Sequence, residues 1–131
     1  MSIPVSLLSG GLLGLLLVGL GLRVPFIRAT RKISLGDGGD KELARFIRLH
    51  GNNVEHVPLF LALCLSYELA AGSTTALWYA AGLFVFARLL YSWGMWMRSF
   101  TRQRQIGATL SLLVELFLSG ALIGAAIAHL K

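Results

Sequence analysis

Acid, cysteine and long polar stretches are what this sequence has least of. Six acidic residues stand against twelve basic ones, and charged residues fill only 14% of its 131 positions. The lone cysteine, Cys64, excludes an intrachain disulfide and carries no signal about redox compartment. No stretch is polar and long enough to make a separate soluble domain, so a single domain over 1–131 is expected. No segment alternates with the period of a barrel strand. The glycines at Gly36, Gly38 and Gly39 lack the lysine-serine ending of a phosphate loop. They also lack the spaced carboxylates and terminal glutamate of a calcium hand. A tight turn ending in Asp40 as a helix N-cap explains them better, and no metal site is expected. A nucleic-acid partner would need a basic face interleaved with exposed aromatics on a soluble module, whereas the aromatics here lie inside apolar runs.

What is present is hydrocarbon. Hydrophobic residues make up 56% of the chain, far above the composition of a soluble domain of this size. A bilayer core about 30 Å thick takes roughly 20 helical residues to cross, so the length admits at most four or five spans. Ile3 to Leu22 runs without a charge. It reads as a span rather than a cleaved leader, because Gly21, Leu22, Arg23 is a poor cleavage site. Further apolar stretches run from Val57 to Ala71, Ala76 to Met97 and Ile106 to Leu130. Backbone groups in lipid must be satisfied within the segment, so the expected fold is an all-α integral membrane four-helix bundle. The expected helices are 3–30, 41–71, 75–99 and 104–130. Gly10, Gly11, Gly14, Gly19 and Gly21 on the first, with Gly120 and Gly124 on the fourth, are expected to let helices approach closely.

The basic residues report orientation. Apart from Arg88 and Lys131, they fall between Arg23 and Arg48 or between Arg98 and Arg104, and the Ala71 to Thr75 connection has none. The positive-inside rule then puts the first and third loops in the cytoplasm and both termini on the other side.

Helix 2 begins outside the apolar core, and on a wheel at about 100° per residue Arg45, Arg48, Asn52, Glu55 and His56 share a sector of about 100°. His50 and Asn53 project from other faces, where a neighbouring subunit could use them. Arg88, Tyr91, Met95, Arg98 and Arg102 line up as a second stripe if helix 3 is continued. Ionisable side chains in a bilayer cost roughly 2.5 to 3.5 kcal/mol each and normally find partners inside the bundle. Arg88 with Glu115 or Glu55 is the simplest such pairing. Within the helix 2 stripe two arginines, Arg45 and Arg48, stand against one carboxylate, Glu55, which points to a small anionic ligand entering from the cytoplasm. Arginine, asparagine and glutamate together suit a ligand bearing carboxylate, amine and peptide groups. A cationic site can also hold a thiol as its nucleophilic thiolate.

The segment Glu42 to Leu61, ELARFIRLHGNNVEHVPLFL, resembles helix 2 of the MAPEG family, the membrane-associated proteins in eicosanoid and glutathione metabolism. FARLLYSWG from Phe86 to Gly94 is similar to that family's helix 3 signature, and GDGGDKEL from Gly36 to Leu43 resembles its bacterial branch. The resemblance implies a homotrimer in the bacterial inner membrane, with lipid around it and glutathione as co-substrate between subunits near the cytoplasmic face. It implies that Arg48, Asn52, Glu55 and Tyr91 contact glutathione, with His56 one place beyond Glu55 where relatives often have tyrosine. His50 and Arg31 would reach it from the adjacent subunit. Arg102 is the best match to the thiolate-stabilising arginine, with Arg98 and Arg104 close by. Met95 replaces a second helix 3 tyrosine. A glutathione transferase acting on lipophilic electrophiles or peroxides is implied. A non-catalytic protein holding an anionic ligand or lipid head group is the alternative. A small transporter would want an inverted repeat, and none is seen.

Overall fold

Four helices follow from four apolar runs. In a computed structural model, which describes residues 2–97 and 101–130, they are α1 (Pro4–Arg31), α2 (Lys41–Ala71), α3 (Thr75–Met97) and α4 (Arg102–His129). Each is long and apolar enough to cross a membrane. At 1.5 Å per residue α2 is about 46 Å long, so it extends well beyond a hydrocarbon core of about 30 Å. Pro58 lies inside it and the helix runs on through. Successive helices run antiparallel. One end of the bundle therefore gathers the end of α1, the start of α2, the end of α3 and the start of α4.

Local chemistry sets the boundaries at that end. Lys32 closes α1 in the left-handed region at φ 54°, and Gly36, Gly38 and Gly39 all take positive φ in the turn that follows. Asp40 then caps α2, its Oδ1 accepting from the Leu43 amide at 2.8 Å. Arg31 pairs with Asp40 and with Glu42, tying the two helices together. The fourth helix begins at Arg102, two residues earlier than expected, because the Thr101 hydroxyl accepts from the Arg104 amide at 3.3 Å. The stripe drawn along a continued helix 3 therefore breaks, with Arg102 on α4. Arg98 and the expected end of helix 3 at 99 lie outside the described residues.

The opposite end carries a clasp that the sequence reading overlooked. Ile3, at the N-cap of α1, has no capping side chain. Glu68, near the end of α2 and almost fully buried, supplies the acceptors instead. Its carboxylate takes the amides of Val5 at 2.9 Å and Ser6 at 2.8 Å, and the Ser73 hydroxyl at 2.6 Å. A negative charge at a helix N-terminus is favourable for the dipole and satisfies orphan donors at once.

Between the ends, one apolar cluster joins Leu13, Phe60, Phe84 and Leu118, with Phe60 and Phe84 stacked at 3.9 Å between centroids. Cys64 is buried in it as packing. A second cluster, around Leu20, Leu49, Tyr91 and Met95, lies nearer the polar end.

The close helix approach falls on glycines other than those expected. A Cβ at Gly107 would stand 2.5 Å from the Ala87 carbonyl oxygen and 2.6 Å from the Tyr91 nitrogen; one at Gly94 would meet the Arg104 nitrogen at 2.7 Å. α3 and α4 thus touch backbone to backbone. Gly11, Gly14, Gly19, Gly120 and Gly124 have open space around them, Gly10 is in ordinary contact with Leu61, and only Gly21 is tight, against His50.

The Asp40 cap gives a test. The Leu43 amide, and after it Arg31, holds this carboxyl below its ordinary 3.8. A lowered folded value means that the stabilisation is fully present above 3.8 and is lost as pH falls through the folded value. We expect Asp40→Asn to melt lower than the wild type in detergent at neutral pH, with the gap shrinking as the medium is acidified below 3.8. A gap independent of pH would show that the charge on Asp40 does not contribute.

Candidate functional site

The polar stripe on α2 begins one turn beyond the capped start of the helix and turns into the bundle at two adjacent amides. Asn53 is fully buried. Its Nδ2 donates to the Leu49 carbonyl at 2.9 Å and to the Ser92 hydroxyl at 3.1 Å. Its Oδ1 accepts from Arg88 Nε at 3.0 Å, while Asn52 Oδ1 accepts from Arg88 Nη2 at 2.7 Å. Arg88 Nη1 donates to Ser111 on α4 at 3.4 Å, and its guanidinium lies 4.5 Å from the centroid of the Tyr91 ring. Arg88 is 0% exposed. The expected pairing of Arg88 with Glu115 or Glu55 is therefore replaced by amides, a hydroxyl and a ring. The reason is positional: two consecutive asparagines on α2 meet the guanidinium edge first. Asn53 faces the interior of its own bundle, not a neighbour.

Glu115 is occupied elsewhere. Its carboxylate accepts from His56 Nδ1 at 3.0 and 3.1 Å, and Glu115 itself is 5% exposed. His56, expected among the ligand contacts, is thus spent on an α2 to α4 bridge inside the apolar region.

Above this network lies a cleft of about 760 Å³. Arg48, Asn52 and Glu55 from α2, Tyr91 from α3, Arg104 and Ala108 from α4, and Arg28, Gly36 and Asp37 from the end of α1 and its loop line it. A smaller basic cavity of about 330 Å³ shares Arg48 and Arg104 with it and adds Lys41, Arg45 and Met95. Of the expected site residues, Arg48, Asn52, Glu55 and Tyr91 come together here. Four do not. Arg31 is engaged with Asp40 and Glu42. The ring of His50 packs on Gly21 of its own α1, and its Nδ1 is buried with no hydrogen-bond partner. His56 points to Glu115, and Arg102 is exposed at the first position of α4, outside the cleft lining. Arg104, two residues on, lines the cleft in its place.

Sequence reasoning missed Arg28, near the end of α1, and Asp37, in the loop that follows, which both line the cleft, and Ser111, an unremarked hydroxyl on an apolar helix. The position of Arg104 was legible in principle. Thr101 is an N-cap residue type, and a cap there moves the following arginines onto a new helix with a new phase.

A four-helix integral membrane bundle with an arginine-lined, amide-bearing cleft at one end is the class that this geometry defines. The sequence model of the MAPEG family matches residues 6–124. The chain is also 36% identical over 101 residues, 76% of each chain, to the inner membrane protein YecN of Escherichia coli, in each of two strains. The chain belongs to the MAPEG family, and these relatives place it among integral inner membrane proteins.

The buried bridge is testable. A double-mutant cycle on His56→Ala and Glu115→Gln, followed by thermal melting in detergent, should give a coupling within about 0.5 to 3 kcal/mol. Additive effects would mean that the two side chains do not hold α2 against α4.

Proposed function

We propose that the chain is a membrane glutathione transferase-like protein that binds glutathione in the cleft at the cytoplasmic end and presents it as a thiolate to lipophilic electrophiles or peroxides. The observation that carries this reading is the set of groups around the cleft. Arg28, Arg48 and Arg104 suit two carboxylates and a thiolate, and Glu55 suits an ammonium group. Asn52, its oxygen taken by Arg88, keeps its NH₂ group to donate to a peptide carbonyl. Family membership supports the same class of chemistry.

In this reading Arg104 takes the role that the sequence alone suggested for Arg102, because Arg104 lines the cleft. A guanidinium near the sulfur favours the charged form and lowers the thiol pKa. The thiol proton leaves to water through the open mouth of the cleft. The thiolate then attacks an electrophilic carbon, the sulfur–carbon bond forming as the leaving group departs with its electron pair. The protein contributes proximity and charge stabilisation, and no metal or covalent enzyme intermediate takes part. A homotrimer is part of the proposal: a second copy against the open side of the cleft would deepen it and could bring His50 and Arg31 nearer the ligand.

A second reading is a holding site without turnover. Met95, in place of a tyrosine, is buried in the cluster beside Tyr91 and offers no hydroxyl to a ligand.

Glutathione binding to the detergent-purified protein, read together with ultraviolet difference absorbance of the bound thiolate, tests the proposal. Arg104→Ala is expected to abolish the thiolate band at neutral pH, whereas Arg102→Ala keeps most of it. Binding without a band in the wild type would favour a holding site for glutathione, and no binding would overturn the transferase reading.

A further inference from the structure

A second ligand surface lies elsewhere on the bundle. Leu15, Leu16, Gly19 and Leu20 of α1 and Leu89, Ser92, Trp93 and Trp96 of α3 line a largely apolar groove of about 660 Å³ between the two helices. Its one hydroxyl, on Ser92, already accepts from Asn53. Gly19 leaves the floor open, since a Cβ there would meet nothing within 4 Å.

The groove ends at a cation. One turn beyond Leu20, the guanidinium of Arg23 lies 5.7 Å from the Trp96 ring centroid, 5.3 Å from that of Phe46 and 5.6 Å from that of Phe26. Phe46 and Trp96 meet edge to face at 4.8 Å, so the rings form a platform at the mouth of the groove. Arg23 is only partly neutralised. Its Nη2 reaches Glu42 at 3.4 Å, but Glu42 also pairs with Arg31. Its Nε is buried with no acceptor. A buried donor without an acceptor is unfavourable, more so on a charged group, and the Arg23 side chain, 35% exposed, leaves the rest of the guanidinium open to an anion.

Length decides what that anion carries. From Leu15 to Arg23 the helix rises about 12 Å, close to the roughly 15 Å of hydrocarbon in one leaflet. We infer that the α1–α3 groove is a binding site for an anionic phospholipid, with one acyl chain along Leu15 to Leu20 and the phosphate on Arg23. Tryptophan at the headgroup level and arginine at the cytoplasmic surface are the side chains that recognise such a molecule. Free phosphate lacks the chain that fills the groove, and a zwitterionic lipid lacks the net charge.

Native mass spectrometry of the protein released from nanodiscs containing equal phosphatidylglycerol and phosphatidylcholine tests the site. Phosphatidylglycerol should be retained over phosphatidylcholine. Arg23→Gln should reduce that preference about fivefold, the value of one cation near the surface. Gly19→Phe fills open space and should displace the lipid while leaving Arg23 in place. Added inorganic phosphate should not compete. Equal retention of the two lipids, or a preference unchanged by Arg23→Gln, would overturn the inference. So would a Gly19→Phe variant that keeps its lipid but loses a subunit, which would assign the groove to a second copy.

Discussion

A guanidinium with no access to water is the constraint around which this bundle is arranged. Arg88 sits on an otherwise apolar helix, and leaving it without acceptors in hydrocarbon would be prohibitive. Three helices answer it: α2 with Asn52 and Asn53, α4 with Ser111, and α3 itself with the Tyr91 ring. Hydrogen bonds of fixed length leave little freedom to slide or rotate one helix against another. The same contacts therefore set the register of the bundle and hold Asn52 and Tyr91 at the floor of the cleft.

The rest of the polar economy follows the same rule of internal satisfaction. Glu115 and His56 close on each other across α2 and α4, and Glu68 caps α1 from the far end of α2. These buried charges pin helices that the hydrophobic effect alone cannot orient, because lipid tails are as apolar as leucine. The glycine contacts at Gly94 and Gly107 complete the picture, allowing α3 and α4 to touch along their backbones. Polar pins and close backbone contact add to side-chain packing between helices in lipid, and this chain uses all three.

The end of the bundle that holds the cleft departs from that balance. Arg28, Arg48 and Arg104 face the cleft with Asp37 and Glu55 as the carboxylates of its lining, and the adjoining cavity is lined by Lys41, Arg45, Arg48 and Arg104 without an acid. Among the described residues, the buried Arg88, Glu68 and Glu115 each have a partner, whereas the cleft lining gathers more cations than carboxylates, which suits an anion. Arg23, on a different face, shows the same imbalance beside an apolar groove, where the anion would carry a hydrocarbon chain.

The membrane bundle, its spans and the family were legible in the residues because they rest on local properties: run length, the clustering of charge and a spaced motif on α2. That Arg48, Asn52 and Glu55 share one face was legible for the same reason, since helical phase alone puts them there; that Tyr91 joins them in the cleft lining is a tertiary fact. Partner choice was not legible. Whether Arg88 would meet Glu115 or the asparagines, whether His56 would face the cleft, and whether Arg102 or Arg104 would line it depended on interhelical rotation and on the point at which α4 begins. A wheel gives directions around one axis, whereas contacts require the relative rotation and depth of two. In this chain those were decided by the tertiary contacts of Arg88, Gly94 and Gly107, which no single helix encodes.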